Sequence, residues 1–144
     1  MIEGTILLVD DSPDDVALTL RAFRTNNITN KVDVASDGEE ALNYLLRESE
    51  RRPKPVLVLL DINLPKVSGL EVLRRIRTDE RTRYLPVVVL STSSEDRDIV
   101  ESYDLGANSY VRKPVVFTEF VDAVKALGVY WLLVNQSVLT PNGD

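Results

Sequence analysis

Asp10-Asp11, Asp61, Ser91 and Lys113 are the side chains in this chain best suited to chemistry, and each group follows a short apolar run. Three carboxylates brought together without compensation would raise one another's pKa values, whereas a divalent cation and a nearby lysine let them stay ionised together. A hard cation, Mg²⁺, is the natural partner of such a set. It would also offset repulsion between an Asp61 nucleophile and an incoming phosphoryl donor, with Lys113 and the Ser91 hydroxyl able to contact phosphoryl oxygens. The chemistry expected of such a set is phosphoryl transfer to a carboxylate. Since the chain has no histidine and no cysteine, histidine bases, histidine or thiolate metal sites and disulfides are excluded.

The segments that must position these residues alternate between strand and helix patterns. Thr5 to Val9 is a strand ending at Asp10-Asp11, and Ser12-Pro13 supplies an N-cap and a first-turn proline, with Asp15 adding negative charge to that turn. Val16, Leu20 and Phe23 give the helix an apolar face. After Asn26-Asn27, Lys31 to Ala35 alternates as an edge strand does, with Val32 and Val34 on one side. Glu39 to Leu46 carries a helical stripe of Ala41, Leu42 and Leu45, and Glu48 to Pro55 is a charged connection.

Val56 to Leu60 is continuously apolar, as a central parallel strand should be, and stops at Asp61; Val87 to Leu90 does the same and stops at Ser91. Leu70, Leu73 and Ile76 mark one helix between them, while Ile99, Tyr103 and Leu105 support another before a turn at Gly106. A short strand from Ser109 to Val111 precedes Lys113-Pro114 and a helix beginning near Phe117. Five strand-to-helix units with right-handed crossovers predict a three-layer α/β/α domain. Open parallel sheets bind ligands at the carboxyl ends of their strands, where all the polar anchors fall.

The length of 144 residues fits one domain, with 128–144 as a C-terminal extension, and the net charge of -6 disfavours nucleic acid. With no signal segment and no membrane-length apolar stretch, the expected location is cytoplasmic. Each anchor alone has a plainer explanation. Asp10-Asp11 could be helix-start acids, Asp61 with Asn63 could shape a turn, Lys113 could be solvated, and Tyr110 could be a half-buried strand aromatic. Ser94 suits an N-cap regardless of the role of Ser91. Only the combination favours a site.

At these residues the chain resembles the response-regulator receiver family of two-component signalling, over about residues 5 to 127, and the intervals between Asp61, Ser91 and Lys113 match. The resemblance implies a doubly wound (βα)5 domain of the flavodoxin-like kind, with parallel sheet order 2-1-3-4-5. It implies that Asp61 is the phosphoacceptor, and that Mg²⁺ is held by the Asp11 and Asp61 carboxylates and the Asn63 backbone carbonyl, with Asp10 acting through water. Ser91 would follow the phosphoryl group and Tyr110 would be the aromatic switch residue. Pro65 and Gly69 punctuate the loop after Asp61, and the Lys113-Pro114 peptide is expected to be cis. A serine at 91 and a longer connection before the third strand are modest departures.

Two alternatives belong to other classes. An Mg²⁺-dependent aspartyl-phosphate phosphatase would call for a second aspartate where Asn63 stands, and a cap domain that the length does not provide. A receiver-like binding module indifferent to phosphate would not need the full set of acids with Lys113.

No output domain follows the last receiver helix, so output is expected through contact with a downstream protein. The tail is the unusual part. Phe117, Phe120, Val124, Leu127, Trp131 and Val134 recur at alternating spacings of three and four, with Tyr130, Leu132 and Leu133 adding apolar area. Gly128 could let the end fold back on its own domain; alternatively Phe117, Phe120, Val124, Tyr130, Trp131 and Val134 form a homodimer interface. Gly128 to Asn135, with Leu73 to Asp79 and Pro86 to Ser91, resembles small response regulators paired with phytochrome-type sensor histidine kinases. That likeness implies such a kinase as phosphodonor.

Overall fold

Short runs of branched apolar residues favour extended backbone, and five of them form one parallel sheet in the computed structural model, which describes residues 4–25, 28–46, 54–91, 96–113 and 118–119. The elements run β1 (Ile6–Val9), α1 (Pro13–Thr25), β2 (Val32–Ala35), α2 (Gly38–Leu46), β3 (Leu57–Asp61), α3 (Gly69–Thr78), β4 (Val87–Ser91), α4 (Asp96–Asp104) and β5 (Ser109–Arg112). Sheet order is β2-β1-β3-β4-β5, with Ile6 in register with Val32 on one side and Leu57 on the other. The chain steps outward from β1 to β2 and then returns across β1 to β3. A cleft therefore opens between the carboxyl ends of β1 and β3, where the connections diverge.

Strand alternation divides the core in two. Leu7, Leu60 and Val89 face α2 and α3, whereas Leu8, Leu59 and Leu90 face the side that holds Phe23 of α1, which makes three layers. β3 and β4 each reach one residue beyond their apolar runs, so Asp61 and Ser91 are themselves ladder residues. α1 buries Thr19 and Phe23, with Val16 and Leu20 half-buried. α4 departs from the expected face: Tyr103 is exposed and Ser102 is buried instead. The Ser102 hydroxyl donates to the Asp98 carbonyl one turn back, which satisfies it internally and makes an inward serine tolerable.

At the opposite, amino-terminal edge of β4 and β5, Arg77 ties α3 to the neighbouring loops. Its guanidinium donates to the carbonyls of Gly106 at 2.9 Å, Leu85 at 2.7 Å and Arg83 at 3.2 Å, and to Asn108 Oδ1 at 2.8 Å. Gly106 has φ 103° and passes so close that an added Cβ would lie 2.9 Å from Arg77 Cγ.

Thr118 and Glu119 are helical. Asn26-Asn27, most of the charged connection before β3, Thr92 to Ser94, Pro114 and the tail residues Phe117, Phe120, Val124, Leu127, Gly128, Tyr130, Trp131, Leu132, Leu133 and Val134 lie outside the described residues.

Candidate functional site

β1, β3 and β5 each deliver one side chain to the cleft. Past β1, the Asp10 N–H still pairs with the Ala35 carbonyl at 3.0 Å, and Asp10 Oδ1 accepts the Ser12 N–H at 3.0 Å. Ser12 caps α1 as expected, its Oγ accepting the Asp15 N–H at 3.2 Å. On β3, Asp61 Oδ1 accepts the Asn63 N–H at 3.0 Å. The loop beyond then folds back so tightly that a Cβ at Gly69 would lie 2.2 Å from the Asp61 carbonyl oxygen, a space only glycine can occupy. Lys66 crosses that loop with φ 67° and reaches Asp37 and Glu39 at the start of α2. Lys113 follows β5, its N–H donating to the Ser91 carbonyl at 2.8 Å.

The three deliveries converge. Lys113 Nζ lies 2.9 Å from Asp10 Oδ2, 2.9 Å from Asp15 Oδ2 and 3.0 Å from Asp61 Oδ2, and the lysine side chain is only 7% exposed. The contacts to Asp15 and Asp61 are directed hydrogen bonds. Asp10 Oδ2 is held by the ammonium as an ion pair without a directed hydrogen bond, so this buried carboxylate oxygen keeps acceptor capacity to spare.

Carboxylate oxygens of Asp10, Asp11 and Asp61 all come within 4.8 Å of one another, with Asp10 and Asp61 buried and Asp11 exposed. Burial pushes the Asp61 carboxyl above its ordinary value and the Asp10 charge adds to that, against the opposing pull of the Asn63 amide and Lys113. Burial also works against the Lys113 charge, but the surrounding carboxylates more than offset it and hold its pKa above the usual lysine value. One ammonium among four acids leaves excess negative charge, and an oxygen-only donor set with a buried oxygen short of directed hydrogen bonds and an exposed flank fits a hard divalent cation.

Of the residues singled out in the sequence, Asp10, Asp11, Asp61 and Lys113 are brought together. Ser91 is fully buried at the end of β4, beside Lys113 through its backbone, and Asn63 meets Asp61 through its N–H. Tyr110 is half-buried and packs on the core cluster shared with α2 and α3. Asp15 was not identified as a site residue in the sequence. The acid looks like ordinary charge for a helix start, and its partner lies 98 positions away.

The model of the response regulator receiver domain matches residues 6–125. The probable methanogenesis regulatory protein FilR2 of Methanothrix harundinacea is 44% identical over 133 residues, covering 92% of this chain and 86% of the relative. The response regulator Rcp1 of Synechocystis is 37% identical over 88% of each chain, and its Mn²⁺-bound crystal structure superposes with a TM-score of 0.73 over 90% of this chain and 94% of that one. The bacteriophytochrome response regulator AtBRR is 47% identical, with a TM-score of 0.82 over 94% of this chain and 99% of its own.

Proposed function

The chain belongs to the response regulator receiver family, and from that premise we propose that Asp61 accepts a phosphoryl group from a sensor histidine kinase and that the protein signals by the change of surface that follows. The single observation that carries this is the clustering of the Asp10, Asp11 and Asp61 carboxylates, with the buried Lys113 ammonium on Asp10 and Asp61, at the switch in strand order. Likeness to the bacteriophytochrome response regulator AtBRR supports a kinase of the phytochrome type as donor. The site is read as cytoplasmic, which is where such a donor presents its phosphohistidine.

An Asp61 carboxylate oxygen attacks phosphorus; the new P–O bond forms as the P–N bond of the donor breaks, and the histidine nitrogen leaves with its electron pair and is protonated by solvent. The Asp11 and Asp61 carboxylates and the Asn63 carbonyl, with Asp10 through water, would hold Mg²⁺, which would supply the positive charge that lets an anionic donor approach an anionic acceptor. Lys113 lies on Asp61 Oδ2 and moves onto a phosphoryl oxygen as charge shifts outward from the carboxylate. Ser91 supplies a hydroxyl donor from the neighbouring strand, and Tyr110 follows its movement.

The reading takes 1–144 as one domain, with the last helix and the 128–144 extension joining two copies through Phe117, Phe120, Val124, Tyr130, Trp131 and Val134. Sedimentation velocity over a concentration series tests that: wild type dimerises, and Trp131→Ala shifts toward monomer. Phosphorylation is tested by intact-protein mass spectrometry. Incubation with a small phosphodonor and Mg²⁺ adds one phosphoryl group to wild type and none to Asp61→Ala or to EDTA-treated protein. An unchanged adduct on folded Asp61→Ala removes Asp61 from the mechanism.

A further inference from the structure

A lysine ammonium has three N–H donors, and Lys113 already faces three carboxylates at 2.9 to 3.0 Å. Two of them, Asp10 just past β1 and Asp61 at the end of β3, stand at the strand ends that form the cleft. The third, Asp15, comes from the first turn of α1, and its 35% exposed side chain leans in from the rim. Its backbone N–H is fixed by the Ser12 cap, so the carboxylate is held over the ammonium by the helix start itself. Nothing in the capping of α1 needs that carboxylate, because the cap uses the Ser12 oxygen and the Asp15 amide.

The geometry points to Asp15 as a positioning residue that opposes the phosphorylated state by competing with the phosphoryl group for Lys113. This rests on the phosphoacceptor role of Asp61. Phosphorylation replaces a carboxylate of charge −1 by an acyl phosphate of charge near −2, so one negative charge is added beside an acid that shares the same ammonium. Lys113 can release Asp61 Oδ2 as that oxygen loses charge, but Asp15 keeps its full charge and continues to draw the ammonium toward α1. Like-charge repulsion and competition for the same donor act in one direction, toward the unphosphorylated state. The same charge has the reverse effect on a divalent cation, which it attracts.

Those opposite signs make the test. Replacing Asp15 by Asn keeps an oxygen acceptor and the Ser12 cap but removes the charge. Beryllofluoride, a phosphoryl analogue that also adds one negative charge to the aspartate, is titrated in saturating Mg²⁺ and followed by ¹⁹F NMR. Mg²⁺ alone is titrated separately, and Asp14→Asn, the exposed neighbour on the same turn, controls for net charge. Asp15→Asn binds beryllofluoride ~3- to 10-fold more tightly, a range set by a charge pair at contact distance discounted for partial exposure. It binds Mg²⁺ alone equally or more weakly, and Asp14→Asn matches wild type in both titrations. A residue that merely shaped the pocket would weaken both ligands when replaced. The proposal is overturned if Asp15→Asn binds the analogue no better than wild type, if it binds Mg²⁺ more tightly as well, or if Asp14→Asn shows the same gain. Failure of wild type itself to bind beryllofluoride with Mg²⁺ instead overturns the phosphoacceptor role of Asp61, and this inference with it.

Discussion

Two cations reach into the interior at opposite ends of the sheet, and they keep different company. Arg77, at the amino-terminal edge of β4 and β5, donates to three backbone carbonyls and the Asn108 side-chain oxygen, all neutral and all fixed by the chain. Lys113, at the carboxyl edge, is surrounded by Asp10, Asp15 and Asp61, whose charges a bound cation or a phosphoryl group would rebalance. Neutral partners give a rivet indifferent to what binds elsewhere, whereas ionised partners give a centre whose best arrangement depends on the total charge present. Burial lowers the Arg77 pKa without any opposing acid to restore it, while the acids around Lys113 overcome the same penalty.

The contrast is broken most forcefully by Arg77→Ala. That change strips donors from the Gly106, Leu85 and Arg83 carbonyls and from Asn108, which must also keep accepting the Val87 N–H at 2.8 Å. Several bonds to a charged donor disappear at once, though water reaches part of the site, so the expected loss is about 3 kcal/mol. Urea unfolding measures it. The loss is the same in Mg²⁺ and in EDTA; a loss that Mg²⁺ reverses would mean that this end of the sheet is coupled to the acidic cleft.

Lys113→Ala is the converse, with a smaller effect on stability that depends on the cation. Removing the ammonium leaves the carboxylates unscreened, costing about 2 kcal/mol in EDTA because the partly exposed Asp11 and Asp15 can turn toward water. Mg²⁺ supplies replacement charge, so the deficit shrinks in its presence. Asp61 already has a raised folded-state pKa, and the variant raises it further. The folded state then binds more protons than the unfolded one, so the deficit is largest above the carboxylate range and fades as pH falls through the raised value. Chemical unfolding from pH 4 to 8, with and without Mg²⁺, checks both dependences. A deficit unchanged by Mg²⁺ would remove the cation from the cleft.

The two ends also differ in how far they can be read from the chain. Val56 to Leu60 announces a buried strand by composition alone, and an edge strand is readable in the alternation of Val32 and Val34, of which Val34 remains 42% exposed. With the strands placed, Asp10, Asp61 and Lys113 had to share the carboxyl edge, so the centre of the site was legible. Asp15 was not, because its contact with Lys113 depends on the angle at which α1 leaves β1. Arg77 was less legible still, since its carbonyl partners exist in every residue and mark no position in a sequence. Tyr103 failed for a related reason: helical periodicity could not say that a serine with an internal hydrogen bond would take the inward place.

A third cation supplies the reference for both ends. Arg74 pairs with Glu71 one turn earlier on α3, its Nε 2.9 Å from Glu71 Oε1 and a second nitrogen on Oε2, which is the fullest two-point geometry an arginine and a carboxylate can make. By contact geometry alone it would rank with Arg77. Yet both side chains stand in water, at 49% and 40% exposure, where solvent replaces whatever the pair loses and salt screens what remains. Arg74→Ala should therefore unfold at the temperature of wild type, within experimental scatter, at low and at high salt alike. A salt-dependent drop would show that partner count decides the strength of these cations. No drop leaves burial as the deciding variable, and makes the neutral rivet at Arg77 and the acidic centre at Lys113 two outcomes of removing the same kind of charge from water.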